Sequence, residues 1–233
     1  MTKKIIFSAG GTGGHILPAV NLMKHFLDRG YEVLLVTDVR GNKFIKDYYK
    51  FKSYVIKTGT PTNKNFLKQI ISFFIIFYSI IRSIFILKKE KPDLIFGLGG
   101  YVSFPVSFAS KFFKLPLVIY ENNMILGRAN KLLSTFSKKI FLSKKNMINF
   151  PDKYRNKAFA VGPILNKNII NCKILDKNKN RENFSILVLG GSQAAEIFGN
   201  IIPPVIKMIK NNGYKIEIIQ QCVASQKNLI KDF

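Results

Sequence analysis

The stretch KIIFSAGGTGGHILPAV at positions 4–20 decides the fold class. Lys4–Ser8 is a short apolar run, Ala9–Gly14 is rich in glycine, and Ile16–Arg29 carries helical periodicity. Gly30 stands where a helix of that length would end on a glycine. Strand, glycine turn and helix in that order open a parallel β-α unit.

The same alternation continues downstream. Tyr31–Thr37 (YEVLLVT) is nearly all apolar, as in a strand covered on both faces of a parallel sheet. Ser53–Lys57, Asp93–Phe96, Pro116–Tyr120, Lys139–Leu142 and Ala158–Val161 read as further strands. Helical stretches are expected over Val102–Phe113 and near Gly127–Thr135. This pattern predicts an α/β fold with a doubly wound, Rossmann-like parallel sheet over residues 1–162. Asn and Lys dominate between Gly162 and Asn183, so 163–183 reads as a linker. Ser185–Leu189, a glycine turn, a helix to Lys210 and Lys215–Ile219 then predict the opening of a second Rossmann-like unit over 184–233. Two strands are too few for a complete domain of this class.

Three strand-to-helix turns carry paired glycines: Gly10–Gly14 before His15, Gly97–Gly100, and Gly190-Gly191 before Ser192. Without a Cβ the backbone can approach an anion closely, and a helix N-terminus offers free N–H groups and a positive dipole end. A phosphate or diphosphate suits such turns, although glycine also serves simply to make them tight. The dinucleotide fingerprint fails because Ile16 occupies its third glycine position, and no Lys-Ser/Thr follows the glycines as a P-loop requires. No D-x-D pair exists to hold Mg²⁺ beside a diphosphate. His15 is either a general base at the helix start or a histidine bonded to a neighbouring loop.

The composition narrows the partners. Among 233 residues, 37 Lys+Arg face 13 Asp+Glu for a net charge of +24, and 47% are apolar. Such apolar content supports a packed core and excludes a disordered tail. Cys172 and Cys222 are too few for a disulfide framework, and two histidines exclude a Cys/His zinc cluster. No secretory leader is expected, since Lys3 and Lys4 precede only three apolar residues. The charge fits solvated faces or an anionic partner: nucleic acid, lipid headgroups or a phosphorylated substrate. Nucleic acid is not expected, because no helix-turn-helix, RNP or zinc signature accompanies the charge.

Ile70–Leu87 (IISFFIIFYSIIRSIFIL) is the most apolar segment. As a helix it would span about 27 Å, just short of a ~30 Å hydrocarbon core. On a helical wheel Asn65, Lys68, Ser72, Ser79, Arg82 and Ser83 share an arc of about 100°. Ile75 and Ile86 interrupt it. The remaining face, with Phe73, Phe74, Ile76 and Phe77, is broader than packing on a sheet requires. Flanked by Lys64, Lys68, Lys88, Lys89 and Lys91, it suits an anionic membrane surface, a core helix and a membrane span being the alternatives.

Taken in order, these motifs resemble the MurG family, the peptidoglycan N-acetylglucosaminyltransferases of GT-B fold. They are Gly10–His15 with Pro18-Ala19, Gly99-Gly100-Tyr101-Val102-Ser103 with Pro105, Glu121-Asn122-Asn123 with Gly127 and Asn130-Lys131-Leu132, and Gly190-Gly191-Ser192-Gln193. The resemblance implies inverting transfer of GlcNAc from UDP-GlcNAc to the C4 hydroxyl of MurNAc in undecaprenyl-diphosphate-MurNAc-pentapeptide, converting lipid I to lipid II. It implies a peripheral position on the cytoplasmic face of the bacterial inner membrane, and neither cofactor nor metal. Residues 1–162 would hold the lipid-linked acceptor, and 184–233 would begin the UDP-GlcNAc-binding domain. His15 would be the catalytic base. Thr12, Gly13, Gly14, Asn123 and Ser192 would contact the donor, and Gly99, Gly100 and Tyr101 would line the diphosphate. On the residues alone, Asn123 reads equally as a turn residue and Ser192 as an N-cap.

Three departures from the family pattern stand out. The linker reads Gly162-Pro163-Ile164-Leu165-Asn166 without the family's arginine, and Ala194 replaces a glycine of the third loop. The family's uracil, ribose and GlcNAc recognition segments do not appear, so an acceptor-binding half that needs a separate donor domain is the alternative expectation.

Overall fold

The computed structural model describes residues 2–11, 13–46, 51–59, 65–171, 184–190, 195–223 and 226. The chain divides into two units, Met1–Cys172 and Lys173–Phe233. The division falls inside the linker expected over 163–183.

In the first unit β1 (Lys4–Ser8), β2 (Glu32–Thr37), β3 (Ser53–Val55), β4 (Leu94–Gly97), β5 (Leu117–Glu121), β6 (Lys139–Leu142) and β7 (Ala158–Ala160) form one sheet. All pairings are parallel, in the order β3-β2-β1-β4-β5-β6-β7. The chain winds outward from β1 in one direction and from β4 in the other. That reversal leaves a crevice beyond the carboxyl ends of β1 and β4, where open α/β sheets receive ligands.

Alternation along the strands feeds two apolar layers. Ile6, Leu34, Ile95, Leu117 and Ile119 face one side, against Ile86, Leu87, Val102 and Val106. Ile5, Phe7, Leu35, Phe96 and Tyr120 face the other, against Ile16, Val20 and Met23 of α1 (Gly13–Leu27). α2 (Val39–Lys46), which hydropathy patterning did not anticipate, begins where buried Asp38 accepts the Gly41 N–H at 2.7 Å.

Helix α3 runs from Phe66 to Glu90, started by Asn65, whose side chain accepts the Leu67 N–H at 3.0 Å. Its polarity is inverted relative to a soluble helix. Ser72, Ser79 and Ser83 are buried, while Phe73, Phe74 and Phe77 are exposed. The Ser79 hydroxyl donates within its own helix to the Ile75 carbonyl and reaches the Lys57 carbonyl across the interface. Backbone contact there is so close that a Cβ on Gly59 would fall 2.4 Å from the Ser72 carbonyl oxygen. Small side chains therefore form the seam from Ser72 to Ser83, where the bulky apolar Phe73, Phe74 and Phe77 face out, and only near the helix end do large residues, Ile86 and Leu87, turn into the core. Ile76, expected on the outward face, is instead half-buried, because it sits nearer the edge of the seam.

The far end of α3 is fastened by a buried carboxylate. Glu90 accepts from Lys52 Nζ, from Lys4 Nζ at 3.4 Å and from the Tyr54 hydroxyl, tying the helix to β1 and β3. Burial alone would raise the Glu90 pKa, but the hydrogen bonds from Lys52, Tyr54 and Lys4 outweigh it and hold it at about 2. A carboxyl depressed in the folded state adds stability that is complete above its unfolded value, near 4.5, and is lost as pH falls toward 2. Glu90→Gln is expected to cost roughly 2–3 kcal/mol at neutral pH. It should also flatten the stability profile between about pH 4.5 and 2, as measured by urea unfolding at several pH values.

After β4, α4 (Ser103–Ala109) continues as a 3-10 turn, Ser110–Phe113. Next come α5 (Arg128–Leu133), a second 3-10 segment (Asp152–Lys157) and α6 (Lys167–Ile170). In the second unit β8 (Phe184–Val188) and β9 (Ile216–Gln220) pair in parallel, with α7 (Ala195–Asn211) connecting them. Many of its apolar side chains, Leu187, Ile201 and Met208 among them, are exposed.

Candidate functional site

The two glycine loops that follow β1 and β4 lock into each other at the crevice. Gly99 and Gly100 both have positive φ, 93° and 78°. A Cβ on Gly100 would lie 2.7 Å from the Gly10 carbonyl oxygen, and one on Gly99 would lie 2.9 Å from the His15 ring. Only glycine satisfies both the backbone and the space there. The first loop is fixed from its other side, where Asp38 Oδ2 accepts the Gly11 N–H at 3.1 Å. Asp38 belongs to none of the sequence motifs, although an acidic residue at a strand end before a helix is a capping signal.

His15 stands at the start of α1 with Nδ1 2.9 Å from the Leu98 carbonyl oxygen. A carbonyl only accepts, so Nδ1 carries a proton, and in the neutral ring the lone pair lies on Nε2. The two sequence readings of His15 are thus compatible: the bond to the neighbouring loop orients the ring that can serve as a base.

His15, Gly99, Gly100, Tyr101 and Asn123 line one cavity of about 300 Å³. Five of the expected site residues therefore meet. Gly13 and Gly14 open the helix that bears His15, and the Gly14 carbonyl is 3.5 Å from Asn122 Nδ2. Thr12 and Ser192 lie outside the described residues.

Glu121 is the main addition to that set. It ends β5 and is buried in the cavity wall. Its Oε1 accepts from the backbone and side chain of Asn123, at 3.0 and 2.9 Å. Its Oε2 accepts from the Gly127 N–H and Asn130 Nδ2, at 2.8 and 2.9 Å. This carboxylate fixes Asn123 and sets the start of α5, so the Asn123 rotamer is held before any ligand arrives. Arg128 adds an exposed cation to the same wall. Among the described residues no group of His, Cys, Asp and Glu is arranged to hold a metal ion.

Residues 5–142 match the glycosyltransferase family 28 N-terminal domain. The UDP-N-acetylglucosamine–N-acetylmuramyl-(pentapeptide) pyrophosphoryl-undecaprenol N-acetylglucosamine transferase of Pelagibacter ubique is 37% identical over 95% of this chain and 60% of its own length. The protein of the same name from Rickettsia canadensis is also 37% identical, over 99% of this chain and 64% of its own length. The chain thus spans under two thirds of the length of both. Among solved structures, Acinetobacter baumannii MurG aligns with a TM-score of 0.66 at 25% identity, over 99% of this chain and 65% of that one. A UDP-GlcNAc 2-epimerase from Methanocaldococcus jannaschii shares the fold, with a TM-score of 0.58 at 17% identity, over 100% of this chain and 68% of its own. The GT-B class read from the sequence agrees with these neighbours.

Proposed function

Because the chain belongs to glycosyltransferase family 28, and within it to the MurG family, we propose that it carries the acceptor side of GlcNAc transfer from UDP-GlcNAc to lipid I in peptidoglycan synthesis. The observation that carries this reading is His15, with a proton placed on Nδ1 by Leu98, in a cavity bounded by the second glycine loop and the Glu121–Asn130 wall. In the proposed step Nε2 takes the proton of the MurNAc C4 hydroxyl as that oxygen bonds to the anomeric carbon of GlcNAc. The bond from that carbon to UDP breaks, and the configuration inverts. The loop N–H groups and Arg128 offset diphosphate charge without a metal. Asn123, braced by Glu121, orients a sugar or phosphate oxygen. The test is transfer of labelled GlcNAc to a lipid I analogue by this chain joined to the C-terminal portion of a MurG relative. Labelled product with inverted configuration supports the reading, and a folded fusion that yields none overturns it.

The same reading places the protein on the cytoplasmic face of the inner membrane through α3. An 18-residue stretch of that helix has a mean hydropathy of 2.4, and the helix is long and apolar enough to cross a membrane by length and composition. Its serine seam and the Glu90 anchor instead hold it along the first unit. The outward Phe and Ile side chains are neighboured by exposed Lys68, Arg82, Lys88 and Lys89, an arrangement suited to lying on an anionic surface. Phe73→Asp with Phe77→Asp is expected to abolish co-sedimentation with phosphatidylglycerol vesicles while leaving the circular dichroism unchanged. Retained binding would remove α3 from the membrane contact.

A further inference from the structure

Tyr120 precedes Glu121 on β5, yet its side chain enters the opposite apolar layer and is 1% exposed. Its hydroxyl lies 3.2 Å from the Gly162 carbonyl oxygen and 3.2 Å from Asn122 Oδ1, and accepts the Ile164 N–H at 3.3 Å. One O–H proton serves only one of those two acceptors at a time. Burial holds this phenol above its ordinary range, so it stays protonated.

The chain from Gly162 to Ile170 crosses the first unit as a strap. Tyr120 fastens its start, and Lys167 Nζ to the Asp28 carboxylate, at 2.7 Å, fastens its end to the turn after α1. Between those points Ile164 packs against the apolar layer beside α1, and the strap and α1 border a groove of about 580 Å³ that includes Leu22 and His25. On the site side Asn122 is braced by the Ser143 hydroxyl, which donates to its carbonyl at 2.7 Å. Its chain neighbours are Glu121 and Asn123, the bonded pair in the cavity wall.

We propose that Tyr120 is a positioning residue that couples the Gly162–Ile170 strap to the Glu121–Asn123 wall of the cavity, its hydroxyl proton shared between the Gly162 carbonyl and the Asn122 side chain. Release of the strap's far end then loosens the cavity wall through this one hydroxyl. The significance for transfer rests on the function proposed above, but the coupling is measured without substrate, so the two can fail separately.

The experiment is amide hydrogen exchange on the full chain, comparing wild type, Lys167→Gln, Tyr120→Phe and the double variant. Lys167→Gln is expected to speed exchange over 162–170 and, up to about five-fold, over 121–127, the most that losing one exposed ion pair can transmit. In the Tyr120→Phe background the same change should reach 162–170 only. A purely structural tyrosine would give additive effects on both segments, since coupling appears only as non-additivity. Additivity, or no response of 121–127 to Lys167→Gln, overturns the proposal. Should Tyr120→Phe fail to fold, Asn122→Ala takes its place with the same two criteria.

Discussion

Replacing His15 by alanine is expected to slow GlcNAc transfer about 10²–10⁴-fold, the usual contribution of a positioned general base. The geometry gives the reason. The Leu98 carbonyl fixes the tautomer and the ring plane, so Nε2 needs no reorganisation before it accepts a proton. His15 is only half-buried, and its truncation leaves the apolar layer beneath it intact. The thermal midpoint should therefore move little while turnover collapses. Transfer to a lipid I analogue by the fusion described above measures the effect, with acceptor affinity followed separately. Turnover equal to wild type would remove His15 from the chemistry.

The second large effect is on stability. Gly100→Ala is expected to cost about 2–4 kcal/mol, because it forces a side chain into the left-handed region and against the Gly10 backbone 2.7 Å away. Backbone cannot swing aside as a flexible side chain does, so the two glycine loops must part. For a unit of this size the thermal midpoint should drop by about 5–15 °C. Gly30→Ala is the control. Its φ is 80°, but nothing lies within 4 Å of the added Cβ, so only the conformational cost of about 1 kcal/mol remains. Equal losses at the two positions would show that the loops are not locked as described.

Much of this was legible in the sequence. The seven strands of the first unit fall on the apolar runs, β1 and β4 leading into glycine turns, because a parallel sheet covered on both faces needs such runs. His15, Gly99, Gly100, Tyr101 and Asn123 were expected at a site and do converge. Glu121 was legible only as part of a motif. Its four donors come from residues two to nine positions later, and their meeting depends on the turn after β5. Helix α2 escaped notice because Arg40, Asn42 and Lys43 hide its apolar period, and its start depends on the Asp38 cap. The polar arc of α3 was visible, but not which part of it turns inward. The structure splits the arc: Ser72, Ser79 and Ser83 go in, while Lys68 and Arg82 go out. Side-chain length explains the division, since a serine can satisfy its hydroxyl on nearby carbonyls and a lysine in the same seam cannot reach water.

The serine seam also governs how this helix can vary among related proteins. Where α3 meets the Lys57–Gly59 segment, size is the constraint, so Ser72 and Ser79 should tolerate only glycine, alanine or one another. The outward positions face no neighbour of fixed shape, so Phe, Ile, Leu and Tyr should exchange there freely. An alignment of relatives would then show its invariant positions at the small polar residues and its drift at the large apolar ones, the reverse of an ordinary surface helix. Ranking positions by conserved hydrophobicity would assign the wrong side of the Ser72–Ser79 stretch to the protein interior.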